Sequence, residues 1–281
     1  MSPPRFQKWQ ALGNDYLIFD REALPWELSA ERVRRLCDPH FGIGSDGVLL
    51  LTRLAGDPVA KLRIFNPDGS EAELSGNGAR QAALYIHRKG WSEQDSFSIA
   101  TAAGPVTPRI TSPRTATMGI GTASTASEDF PSGDSEGRGT LTAAGREWTF
   151  QHVSIGNPQC AIEVPEGLEE LDLGRIGPEI ERHELFPNRT NVSFFSVNGE
   201  EVRARIFERG VGETLSSGTG ATGAAVAAHL AGAPGNLTVR LDGGELGVDI
   251  SGRLEIELSG WAEPVCAGEL SGELATALAQ M

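Results

Sequence analysis

The sequence predicts an α/β protein of two homologous, pseudo-symmetric domains, each a sheet or barrel wrapped round one central helix. Three observations carry this expectation. Arg63, Ile64 and Phe65 recur 142 residues later as Arg205, Ile206 and Phe207. Over the 28 ungapped positions that begin at these arginines there are 12 identities, among them Glu71 with Glu213, Ser75 with Ser217 and His87 with His229. Each copy also reads alike, as an alternating strand, a Gly-rich turn and an Ala-rich helix. A single repeat of long period implies duplicated domains rather than a solenoid, which stacks at least three shorter units.

In the first copy the strand covers residues 61–66 and the helix about 77–88; in the second they cover 202–208 and about 219–231. Alternating apolar runs place further strands at 96–101, 148–155, 237–241, 246–250 and 254–258. Helices are expected at 30–37 and 174–183. Residues 111–139 are rich in Ser, Thr and Gly and read as loops and a domain linker. The domains are then 1–120 and 121–261, with a C-terminal strand at about 262–281 returning to the first.

The chain of 281 residues is 39% hydrophobic and 22% charged, which suits a globular protein with a full core. A net charge of −14 argues against a nucleic-acid or anionic-membrane surface. No apolar run is long enough to span a bilayer. Residues 1–15 hold no basic region followed by an apolar stretch, so no signal peptide is expected. Cys37, Cys160 and Cys266 are odd in number and form no tight motif, which suits reduced thiols in a cytoplasm.

The repeated turn is the candidate site. Ser75-Gly76-Asn77-Gly78 and Ser217-Gly218-Thr219-Gly220 each open a helix. Glycine lets a ligand approach the backbone, and the first helical N–H groups carry partial positive charge with no internal partner. Two such ends facing each other across a cleft could hold one carboxylate, more strongly as charge develops on it when an α-proton leaves. The plainer reading is that each serine is an ordinary N-cap. Two G-x-G-x-x-G matches, from Gly42 and from Gly218, lack the strand-turn-helix setting of a dinucleotide site. His152, Cys160 and His183 lack metal-ligand spacing.

The segments Leu12-Gly13-Asn14-Asp15-Tyr16, Gly42-Ile43-Gly44-Ser45-Asp46-Gly47, Phe65-Asn66-Pro67-Asp68-Gly69-Ser70, Ser75 to Arg80, Gly156-Asn157-Pro158, Pro187-Asn188-Arg189-Thr190-Asn191 and Glu208 to Thr214 occur in this order. Together they resemble the motifs of the diaminopimelate epimerase family, over about residues 6–270. The resemblance implies a cytoplasmic, homodimeric isomerase of lysine and peptidoglycan biosynthesis. It would interconvert LL- and meso-diaminopimelate by two-base proton transfer, with no cofactor and no metal. It also implies that Asn14, Asn66, Asn157, Asn191 and Arg209 grip the distal end of the substrate, with Glu208 facing its ammonium. Backbone N–H groups at Gly76, Asn77, Gly218 and Thr219 would hold the reacting α-carboxylate.

Two departures accompany the resemblance. The family uses two cysteines as acid and base, and here both positions are serine, Ser75 and Ser217. Gln159 replaces the histidine that often follows Asn-Pro. A serine hydroxyl is a far weaker acid than a thiol and needs a neighbouring base. Three readings stay open: engineered replacements, a branch that runs the reaction with serine supported by neighbours such as Glu208, or a silent diaminopimelate-binding homologue. A relative of the proline racemase or hydroxyproline dehydratase type is a further alternative.

Overall fold

Both Ala-rich segments are helices, and the rest of each copy is built round them. The computed structural model describes residues 3–281. The chain divides into two units, one of residues up to Met118 together with Gly260–Met281, the other Gly119–Ser259.

The first unit opens with β1 (Arg5–Ala11), β2 (Asn14–Asp20), α1 (Ala30–Cys37), β3 (Val48–Arg53), β4 (Ala60–Phe65) and β5 (Glu71–Ala72). The central helix α2 (Gly76–Arg88) follows, then β6 (Ile99–Thr101), β7 (Gly104–Val106), β8 (Arg109–Ser112) and β9 (Thr115–Thr122), within which the unit boundary falls. The second unit holds β10 (Arg138–Ala143), β11 (Arg146–Ser154), β12 (Pro158–Glu163), α3 (Leu173–Glu181), β13 (Asn191–Asn198), β14 (Glu201–Glu208) and β15 (Gly212–Thr214). Its central helix α4 (Gly218–Leu230) leads to β16 (Asn236–Leu241), β17 (Gly244–Ser251) and β18 (Glu255–Trp261). The chain closes in the first unit with β19 (Glu263–Glu269) and α5 (Gly272–Gln280).

The sheet of the first unit runs β19-β1-β2-β3-β4-β6-β7, with β5 on β4. The other sheet runs β10-β11-β12-β13-β14-β16-β17-β18-β9-β8, with β15 on β14. The repeat is therefore a crossover: β4 pairs parallel with β6 across α2, and β14 pairs parallel with β16 across α4. Each crossover starts from the same clamp. Arg63 donates from Nε and Nη2 to the two carboxylate oxygens of Glu71, both at 2.8 Å. Arg205 donates from Nε and Nη2 to one oxygen of Glu213 at 3.1 and 2.7 Å. These charge-assisted forks tie each short hairpin to its parent strand just before the serine turn.

Helix α4 shows why the helices are made of small residues. Positions 220–228 are all buried, and the helix packs on β11, β12, β13, β14, β16 and β17. A Cβ at Gly220 would lie 2.8 Å from Ile206 Cγ2, and one at Gly223 would lie 2.8 Å from Gln159 Cβ. Glycine inside a helix costs about 1 kcal/mol relative to alanine. Here it allows the close approach that lets strands surround the helix.

Several expectations need correction. Residues 111–139 are not all loop: β9 occupies Thr115–Thr122, and the buried Phe130 packs on Phe150 and Phe186 at ring distances of 5.2 and 5.8 Å. One aromatic in a Ser/Gly-rich stretch anchors it to the core of the second unit. The C-terminal segment is a strand only over Glu263–Glu269; Ser271 then caps α5, whose Leu278 joins the core around Leu36 and Leu50. The strand expected at 96–101 starts at Ile99, with Ser96 making only an isolated bridge to Arg109. The helix expected at 174–183 is Leu173–Glu181, capped by Asp172.

Candidate active site

Ser75 and Ser217 are both N-caps with almost the same backbone: φ −138°, ψ 121° and φ −144°, ψ 121°. Ser75 Oγ accepts the Gly78 N–H at 3.1 Å, and Ser217 Oγ accepts the Gly220 N–H at 3.2 Å. The plain cap reading therefore holds. It uses the oxygen of each hydroxyl as acceptor and leaves the O–H proton to be given elsewhere.

What each hydroxyl meets next differs between the units. In the second unit the Glu208 carboxylate accepts from Thr214 Oγ1 at 2.9 Å and lies near enough to the Ser217 hydroxyl for that hydroxyl to favour its charged form. Burial pushes the Glu208 carboxyl above its ordinary value, against the lowering effect of the Thr214 and Ser217 hydroxyls. In the first unit the Tyr16 hydroxyl donates to Ser75 Oγ at 3.3 Å. Ser217 thus sits beside an acceptor of protons and Ser75 beside a donor. Strand β2 and helix α2 bring Tyr16 and Ser75 together. The lack of a side chain at Gly47, where a Cβ would stand 2.7 Å from the tyrosine ring, gives that ring its place.

The other expected residues divide between the two units. In the first unit the Asn14 carbonyl accepts from Gln81 Nε2 of α2 at 3.0 Å, and its side chain donates to Asp46 at 3.1 Å. Asn77 Oδ1 accepts from Arg80. Asn66 keeps its hydrogen bonds within its own turn, with Nδ2 on Ser70 Oγ at 3.0 Å. In the second unit Asn157 Nδ2 donates to Thr219 Oγ1 at 3.3 Å and Asn157 Oδ1 accepts from Gln159 at 2.7 Å. Asn191 is buried; it donates to the Pro158 carbonyl at 3.1 Å and accepts the Arg209 backbone N–H at 2.8 Å. The Arg209 guanidinium donates to the Asn188 carbonyl at 2.8 Å. Gly76, Gly218 and Thr219 are half-buried at the helix starts.

No cysteine stands at either cap. Cys37 and Cys160 are buried, and burial pushes the first thiol up to about 11 and the second well above its ordinary value. Cys266 is exposed on β19. His152 is buried with its Nε2 2.8 Å from Ser127 Oγ, in the aromatic core rather than at a cap. Two polar residues of the first-unit site carry no role in the sequence reading, Tyr16 and Arg80. For Arg80 a signal existed: it breaks the repeat, since its counterpart is Thr222.

A family model described as diaminopimelate epimerase matches residues 6–126 and 151–259. A diaminopimelate epimerase of Synechococcus sp. (strain JA-3-3Ab) is 41% identical over 254 residues, which is 86% of this chain and 88% of that protein. The chain belongs to the diaminopimelate epimerase family. The family's enzyme from Desulfitobacterium hafniense (strain DSM 10664 / DCB-2) is similar at 39% identity, covering 94% of this chain and 96% of its own. Among solved structures, a hydroxyproline epimerase from Agrobacterium vitis aligns with a TM-score of 0.63 at 15% identity, over 99% of this chain and 98% of that one. A Bacillus anthracis phenazine biosynthesis protein of the PhzF family aligns with a TM-score of 0.65 at 17% identity, over 96% and 100%. At these identities the two structures speak for the fold alone, the two-sheet α/β architecture described above.

Proposed function

We propose that this protein is an isomerase that interconverts LL- and meso-diaminopimelate without a cofactor, on the route to lysine and peptidoglycan. Ser217 and Ser75 take the acid/base positions. The observation that carries this reading is the unequal surroundings of two otherwise matched caps: a half-buried carboxylate near Ser217 and a phenol on Ser75.

In the LL-to-meso direction the α-proton passes to Ser217 Oγ as the hydroxyl proton of Ser217 moves to Glu208. The electron pair left on the α-carbon spreads into the α-carboxylate, which the N–H groups at Gly76, Asn77, Gly218 and Thr219 stabilise as its charge grows. Ser75 gives its hydroxyl proton to the carbon. The resulting oxyanion keeps the Gly78 N–H and takes the proton of Tyr16. One proton leaves the substrate and one arrives, so the balance closes. Asn14, Asn66 and Asn157 serve the distal amino-acid end with Arg209, whose planar fork suits a carboxylate. Asn191 acts there through the backbone of Arg209. Glu208 also meets an ammonium group.

We place the enzyme in the cytoplasm as a homodimer, on the family resemblance. No helix among the described residues is long and apolar enough to cross a membrane. The test is proton NMR of LL-diaminopimelate in D₂O at neutral pH. Loss of the α-proton signal together with appearance of the meso form is expected. A folded protein that exchanges proline and leaves diaminopimelate untouched would overturn the assignment.

A further inference from the structure

Arg80 lies one turn into α2 and is 0% exposed. Its Nη2 donates to Asn77 Oδ1, while Nε and Nη1 are buried with no hydrogen-bond partner. No carboxylate among the described residues pairs with it; burial alone pulls it down, to about 10, so it stays charged at neutral pH. Leaving a buried guanidinium this poorly satisfied is costly, and such groups are otherwise found paired. The position does not require an arginine for packing, since Thr222 fills its place in the second copy with its hydroxyl on the Gly218 carbonyl at 2.8 Å.

The guanidinium points to the start of the helix. Nη1 lies 3.9 Å from where a Cβ on Gly76 would stand, and apart from Ser75, Asn77 and the backbone of the helix itself no other atom comes within 4 Å of that point. The missing side chain therefore leaves an open space beside the first amides of α2, bordered by an unpartnered N–H of a cation. A helix end alone offers about half a unit charge; Arg80 adds a whole one, in surroundings that screen it poorly.

We infer that Arg80 is a positioning residue that supplies the fixed positive charge of the α2 end, lowering the proton affinity of the group at position 75 and favouring an anion on the Gly76 and Asn77 amides. The anion class is a carboxylate. That part rests on the proposed function, whereas the effect on position 75 does not. The two helix ends are then unequal: the first is cationic, and the second is neutral beside the Glu208 carboxylate. A cationic end suits Ser75 as the proton donor, because the oxyanion it leaves is stabilised.

The experiment reads this charge through a thiol probe. In a Cys266→Ser background, Ser75→Cys is alkylated with iodoacetamide across pH to obtain the thiol pKa, alone and combined with Arg80→Gln or Arg80→Lys. Arg80→Gln should raise the thiol pKa by at least about one unit, a ten-fold slower reaction at neutral pH, and Arg80→Lys should preserve most of the rate. An unchanged pKa in folded Arg80→Gln overturns the inference. Should Arg80→Gln not fold, Ser75→Cys is compared with Ser217→Cys carrying Glu208→Gln, both with Arg80 in place. The thiol at 75 should then be the more acidic by about one unit, and equal values overturn the inference. Calorimetry with diaminopimelate separates the two readings. A pKa that moves without any loss of affinity in Arg80→Gln supports the charge and removes the carboxylate assignment from this helix end.

Discussion

The Tyr16 hydroxyl stands 3.3 Å from Ser75 Oγ and donates to it. That is long for a bond between hydroxyls, so Tyr16→Phe should cost less than about 1 kcal/mol of stability. Its effect on turnover should be larger, a fall in kcat of up to ~10²-fold, because the phenol stabilises an oxyanion that exists only during reaction. Urea melts and initial rates by NMR read the two effects separately. Equal kcat in the two proteins would leave Tyr16 as packing alone.

Glu208 gives a pH dependence of known sign. Its folded pKa is raised by burial. Between the ordinary carboxylate value and the raised one, the folded chain binds more protons than the unfolded chain. Stability therefore falls as pH rises through that window. Glu208→Gln removes the fall, so thermal midpoints should match the parent in acid and exceed it above the window. Activity moves the other way. The base form is present only above the raised pKa, so kcat/KM should climb with pH there, and Glu208→Gln should lose ~10²–10⁴-fold. Parallel pH profiles of activity for parent and variant would refute the base role.

Restoring sulfur should help only as a pair. Inversion needs a base and an acid, so Ser75→Cys with Ser217→Cys should epimerise faster than the parent, while each single change leaves inversion slow. All four variants must be compared, since groups that act as a unit are not additive. If the folded double variant gains neither exchange nor inversion in D₂O, both serines are caps and the chemistry lies elsewhere.

Arg209→Ala should weaken diaminopimelate binding by about 1.5–3 kcal/mol through the lost charge-assisted contact. The Arg209 backbone N–H on Asn191 survives this change, so the fold should hold. Calorimetry with an unaltered affinity would place the distal carboxylate on another group.

Much of this architecture was legible in the chain because the repeat keeps the residues that set it. Arg63 with Glu71 and Arg205 with Glu213 are paired in both units, and Ser-Gly-x-Gly marks both helix starts. The rest depends on tertiary placement. Strand β9 lies in a segment whose Ser, Thr and Gly content reads as loop, and α5 follows a strand without a change of composition that announces it. Asn191 reads as a substrate ligand in its motif, yet its Oδ1 and one of its amide protons are engaged by backbone. Glu208 precedes the Ser217 turn closely and was legible as a neighbour of the serines, whereas Tyr16 comes from the distant β2 and no spacing rule links it to Ser75.

The close fit of α4 has a consequence for how this chain can change. Gly220 abuts Ile206 and Gly223 abuts Gln159, each with no room for one added carbon. Thickening the helix at either place would force strand and helix apart, at about 1–3 kcal/mol for an overpacked site. It would also tilt the axis along which the first amides are aimed. A larger residue at 223 is therefore admissible only with glycine at 159, because the clash is with the Gln159 Cβ, and one at 220 only with a smaller residue at 206. Inheritance along this stretch should run in coupled pairs, and single drift should be confined to the exposed turn that begins at Leu230.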